Sequence, residues 1–212
     1  MRLYISRGWG SLSAILEKKY GNQDWFNRIK FYLNDRHYHI QERLLTSFRY
    51  VELNPKNALS FSYEYSSLLR DIGGVFGSFL DKFIRSASPS PSTKGELNIN
   101  NYLEFLDSEV DGIEEICAEM EAEYDQRYLF PFQGIGKSIP NWWKAYNNVK
   151  HTDIEKLQDG CLTNVLYGFA SLSILENLVD ASAYNRIFQI GVHHDFTVDK
   201  TILWNNYVFP LC

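Results

Sequence analysis

Two long stretches of this chain repeat apolar residues at helical spacing. From about Leu59 to Ile84, the positions Tyr65, Leu68, Leu69, Ile72, Val75, Phe76, Phe79, Leu80 and Phe83 hold the period of an amphipathic helix. From about Ile154 to Leu178 the chain is apolar on most sides, the mark of a core helix. Between them lies a short helix from Pro140 to His151, where proline suits the first turn and Ser138 or Ile139 would cap it. Its spacing puts Trp142, Tyr146 and Val149 on one face and Lys144, Asn147, Asn148 and His151 on another. Asn100 to Leu106 reads as a short helix. Val110 to Tyr124 reads as a longer acidic one, with Val110, Ile113, Ile116, Cys117 and Met120 inward. Helices near 59–84, 100–124, 140–151 and 154–179 predict a mainly α fold, a four- to five-helix bundle.

The flanks are less regular. Ser11–Tyr20 and Trp25–Leu33 each read as a short helix, and Arg36–Leu53 accepts either helix or strand before Asn54-Pro55 ends it. Gly73, Gly74 and Gly77 interrupt the 59–84 helix, each costing about 1 kcal/mol relative to Ala. That cost fits a place where another helix comes close. Ser86–Gly95 is a Ser/Pro loop. Beyond Asp180, Arg186–Val192, Phe196–Val198 and Thr201–Phe209 are β-rich and predict a small terminal sheet or hairpin. The organisation expected is one helical-bundle domain over 1–180, with 1–53 as a flank and 54–180 as the core. Residues 181–212 would form an extension packed on it.

Composition narrows the classes of function. The 212 residues are 45% hydrophobic and 22% charged, as in a globular protein. A net charge of −5 excludes a broad, non-specific grip on a nucleic-acid backbone but leaves room for a local basic site. The densest cluster, Arg36, His37, His39, Arg43 and Arg49, is either a partner surface or a solvated face. Cys117, Cys161 and Cys212 are odd in number and widely spaced, which predicts reduced thiols and a cytoplasmic protein. The first residues lack the apolar run of a signal peptide, and no membrane partner is expected.

Few constellations carry chemistry. His37-x-His39 and His193-His194-Asp195 bring no Cys or Glu at a recognised metal spacing, so neither a metal nor a cofactor is expected. Cys161 reads as a packed thiol, and the acidic residues from Asp107 to Glu123 as a solvated face. Walker, GxSxG and dinucleotide fingerprints are absent. Adjacent helical residues point about 100° apart, so one of Trp142 and Trp143 is expected in the core. Trp142 takes that place beside Tyr146. Trp143 is then free to stack on a base or to cover a helix flank.

Pro131-Phe132, the run Pro140-x-Trp-Trp-x-Ala-Tyr-Asn-x-Val-Lys-His151 and the apolar Leu162-Thr-Asn-Val-Leu166 resemble a group of bacterial helical proteins. That group is similar in turn to HEPN domains, the helical bundles of prokaryotic defence systems associated with nucleotides and RNA. The resemblance covers about residues 40–180. Catalytic HEPN domains are metal-independent ribonucleases that use an Arg and a His across a short spacer, paired over a homodimer. Histidine exchanges protons with the attacking hydroxyl or the leaving oxygen, while arginine holds the phosphate. The resemblance makes His151 the acid/base. Lys144 stands where the arginine would, keeping the charge without the planar fork. Asn147, Asn148, Lys150 and Trp143 would then bind substrate. RNA and a second copy of the chain are the implied partners. The alternative is a non-catalytic scaffolding bundle that mediates protein–protein contact, in which Asn147 and His151 secure the turn before Ile154. Arg186 and His193 match the bare catalytic spacing too, but in the β-rich tail.

Overall fold

A computed structural model describes residues 23–87, 95–122, 125–151, 155–180, 183 and 185–192. The helix expected at Ser11–Tyr20, most of the Ser/Pro loop and the tail segments beyond Val192 lie outside these residues. The described chain is mainly α, with α1 (Gln23–Ser47), α2 (Tyr63–Ala87), α3 (Ile99–Glu109), α4 (Asn141–His151) and α5 (Leu162–Val179). Strands β1 (Ile116–Ala122), β2 (Asp125–Leu129) and β3 (Phe188–Val192) form an antiparallel sheet in the order β2-β1-β3.

The region read as one short helix and one ambiguous segment is a single long helix. In α1 the buried stripe is Ile29, Leu33, His37, Ile40, Gln41 and Leu44, and two of its members are polar. The hydrophobic period is therefore broken in sequence though continuous in space. Helix α2 begins at Tyr63 because the Ser62 hydroxyl accepts the Tyr65 N–H at 3.0 Å. Asn98 and Asn101 exchange a capping box at the start of α3.

The acidic helix expected over Val110–Tyr124 is not formed. Helix α3 ends at Glu109, Gly112 turns with φ of 70°, and a 3-10 turn at Ile113–Glu115 leads into β1. Ile116, Cys117 and Met120 satisfy a helical period as well as Ile116, Ala118 and Met120 satisfy a strand. Pairing with β3, some 70 residues later (Ile116 opposite Val192, Met120 opposite Phe188), selects the strand. The terminal β element is thus present at β3, but it joins β1.

The core helix also begins later than its pattern implies. Residues 60–62 and 160–162 pair through Phe61 and Cys161, with Leu162 N donating to Ser60 O at 2.9 Å. Gly160 passes so close to α2 that a Cβ there would sit 2.0 Å from Ser66 Oγ. Cys161, buried at the head of α5, is disulfide-bonded, which corrects the reduced state expected for it. Helix α5 is long and apolar enough to cross a membrane, yet most of it is buried inside the fold. Helices α1, α2 and α4 and strands β1 and β3 all touch it. Its apolar breadth is met within one chain and requires no second copy.

Candidate functional site

Helix α4 is anchored by its aromatic side. Trp142 meets Phe76 edge to face at 5.3 Å, and Trp143 packs on Phe76, Tyr102 and Tyr146 at 5.8, 6.2 and 4.9 Å. Both indoles are buried, Trp143 with 7% of its surface exposed. The expectation that only one of the two tryptophans lies in the core is therefore corrected. A helix of this pitch buries both tryptophans when neighbours close on it from two sides, as α2 and α5 do here. Glycines make the room: a Cβ at Gly73 would lie 2.5 Å from the Tyr146 ring, and one at Gly168 would lie 3.1 Å from Trp142. The close approach expected at Gly73 and Gly77 is found, whereas Gly74 has open space.

The outward side of α4 exposes Lys144, Asn148 and His151, with Asn147 half-buried, and Lys150 is exposed at the helix end on the Tyr146 side. Lys144 and His151 lie on one side of the helix, seven residues and about 10.5 Å apart along its axis. Lys144 Nζ reaches Asn141 Oδ1 at 3.5 Å. Lys150 sits 5.5 Å from the Tyr146 ring centroid. Asn148 donates to Asp159 Oδ2 at 2.7 Å, so Asn148 secures the turn after α4 where Asn147 was expected to. His151 has no hydrogen bond or ion pair among the described residues.

A second polar constellation was missed at the sequence level. Between α1 and α5, His37 Nδ1 lies 3.0 Å from Glu176 Oε2, and His37 Nε2 lies 2.9 Å from Ser173 Oγ. The imidazole stacks on Phe169 at 4.7 Å. Serine, histidine and carboxylate occur in the order of a nucleophilic triad. The chemistry differs, because the Ser173 hydroxyl donates to the Phe169 carbonyl at 2.8 Å and all three groups are sealed from solvent. Instead the cluster holds the approach to β3. Asn185 Nδ2 donates to Ser173 Oγ at 2.8 Å, while its Oδ1 accepts the N–H of Ile187 and Phe188. Gln41 Oε1 accepts the Arg186 N–H at 2.7 Å. A histidine inside an otherwise apolar helical stripe was the available signal.

That burial also disperses the basic cluster. His37 points inward and His39 outward, so the two cannot converge on a metal. Among the described residues no group of three metal-ligating side chains comes together. Arg43 forks onto Glu64 and Ser67 at 3.0 Å each and onto Asp71. It forms one wall of a pocket of about 510 Å³ between the end of α1 and the start of α2, with Ser47, Tyr50, Val51, Ser62 and Tyr65. Burial raises the Tyr65 phenol above its ordinary pKa, opposed in part by Ser47.

No protein-family model, curated protein or solved structure matches the chain.

Proposed function

We propose that this chain is a HEPN-like binding module for RNA, with the outward side of α4 as its phosphate-contacting surface. The observation that carries this reading is the two-sidedness of α4. Trp142, Trp143, Tyr146 and Val149 lock one side into the core, the other presents Lys144 and His151 to solvent on a rigid support, and Lys150 is exposed at the helix end over Tyr146. Cations held in fixed positions neutralise phosphates without ordering a loop first. Binding is favoured over cleavage. Lys144 is a point charge where the chemistry asks for a fork, and no described group orients the His151 ring as a base would need.

A protein-docking role has its own support in an exposed apolar segment. Leu59, Phe61 and Tyr63 alternate outward at the entry to α2, and Tyr50 stands exposed at the adjoining pocket. Titrating labelled single-stranded RNA at stepped salt separates the readings. The triple variant K144A/K150A/H151A should lower the slope of log K against log salt by about 1.4, from about 0.7 for each of the two lysine–phosphate contacts. Saturable binding unchanged by that variant would remove the α4 surface. RNA cleavage that stops in His151→Ala would move the chain to the enzyme reading.

A further inference from the structure

The outer side of α1 carries features that neither the core nor the α4 surface uses. At 100° per residue, Arg28, Phe31, Tyr32, Arg36 and Tyr38 fall within about 160° of arc, opposite the buried stripe. Phe31 is 73% exposed and Tyr38 54% exposed, two large rings left in water on one helix face. Between them two cations converge on one aromatic ring. The Arg36 guanidinium lies 5.8 Å and the Lys82 ammonium, from α2, 5.3 Å from the Tyr32 centroid.

Arg28, Arg36 and Lys82 make no ion pair among the described residues. Of the carboxylates around them, Asp81 is held by Arg85 at 2.8 Å, Asp180 by Lys30 at 2.8 Å and Glu42 by Arg186, while Asp35, on the same face of α1, lies 3.5 Å from the exposed His39. Among the described residues these three cations thus have no paired carboxylate, in a chain whose net charge is −5. An anionic occupant completes that arrangement. Exposed rings interleaved with the cations further select an anion that has flat, unpaired faces. A duplex hides the faces of its bases, whereas a single strand offers them together with phosphates.

We propose that the outer side of α1 is a platform for single-stranded nucleic acid. Phe31 and Tyr38 stack on unpaired bases, and Arg28, Arg36 and Lys82 neutralise the backbone. The two rings stand two helical turns apart, about 10.5 Å along the axis, so each takes a separate base. The inference rests on the RNA reading above and supplies the base contact that the buried Trp143 cannot make.

The test is fluorescence anisotropy with a labelled oligouridine and, separately, with an RNA duplex of equal length. The wild-type chain should prefer the single strand. F31A/Y38A should weaken single-strand binding at least 10-fold with little change in salt slope, and R28A/R36A/K82A should lower that slope by about 2. All five side chains are surface groups, and circular dichroism verifies that the variants fold. If both α1 variants bind as wild type while K144A/K150A/H151A loses affinity, the platform is wrong and the α4 reading stands. Loss in the α1 variants alone supports the platform and removes the α4 surface. Equal affinity for single strand and duplex overturns the stacking role, and no binding of either RNA by the wild type overturns both proposals.

Discussion

His37 Nδ1 and Glu176 Oε2 lie 3.0 Å apart inside the protein, joining α1 to α5 through polar atoms withdrawn from water. Glu176 Oε2 receives no in-line hydrogen bond from the described residues, so the imidazole is its nearest polar compensation. His37→Ala should therefore destabilise the fold by about 1–3 kcal/mol, the range for leaving a buried polar group without its partner. H37L/E176L removes both polar groups and should cost less than the sum of the single changes. Urea denaturation measures both. A His37→Ala variant within about 0.5 kcal/mol of wild type would contradict the assignment.

Gly73 and Gly74 are neighbours with opposite expectations. Alanine at either position gains about 1 kcal/mol of helix propensity. At Gly73 the new Cβ enters the Tyr146 ring at 2.5 Å, and overpacking of this kind costs about 1–3 kcal/mol. At Gly74 it meets nothing within 4 Å. Gly73→Ala should lower the melting temperature and Gly74→Ala should raise it.

Trp143 tests whether burial or ligand contact explains its position. Trp143→Ala should cost about 3–5 kcal/mol of stability, as for a large aromatic lost from a core. Chemical denaturation should show that loss in the absence of RNA. A stable variant with selectively impaired RNA binding would restore the stacking role.

Cys117 confers a pH dependence. Burial foremost, with the Glu119 charge beside it, pushes its thiol pKa up to about 12. The unfolded chain releases this proton near its ordinary value of about 8.5, so above that pH the folded state binds more protons. Stability should be insensitive to this thiol below about pH 8 and fall as pH climbs toward 12. The same cause predicts that Cys117 resists alkylation at pH 8 until the protein unfolds, which mass spectrometry of labelled peptides would show. Replacing Cys117 with alanine should flatten the alkaline decline.

Part of the fold and of the α4 surface was legible because their signals are local. Five turns of apolar period from Tyr65 to Phe83 could only be a buried-face helix, and proline before Asn-Trp-Trp placed the start of α4 within a residue. The outward placement of Lys144, Asn148 and His151 followed from pitch alone. Long helix α1 was not legible as one element, because His37 and Gln41 occupy its buried stripe and are stabilised by partners far along the chain.

What the sequence determined by itself was therefore the helical class, the main core helices and the polar character of α4. Each depends on contacts within a few residues, where periodicity and capping decide. Tertiary structure alone decided three things. Ile116–Ala122 became a strand because β3 pairs with it, and Trp143 became core because α2 closes over it through Gly77. The basic residues of α1 parted when His37 turned inward to Glu176 and Ser173. In each case the deciding partner lies dozens of residues away, and local pattern carries no record of a contact that only folding creates.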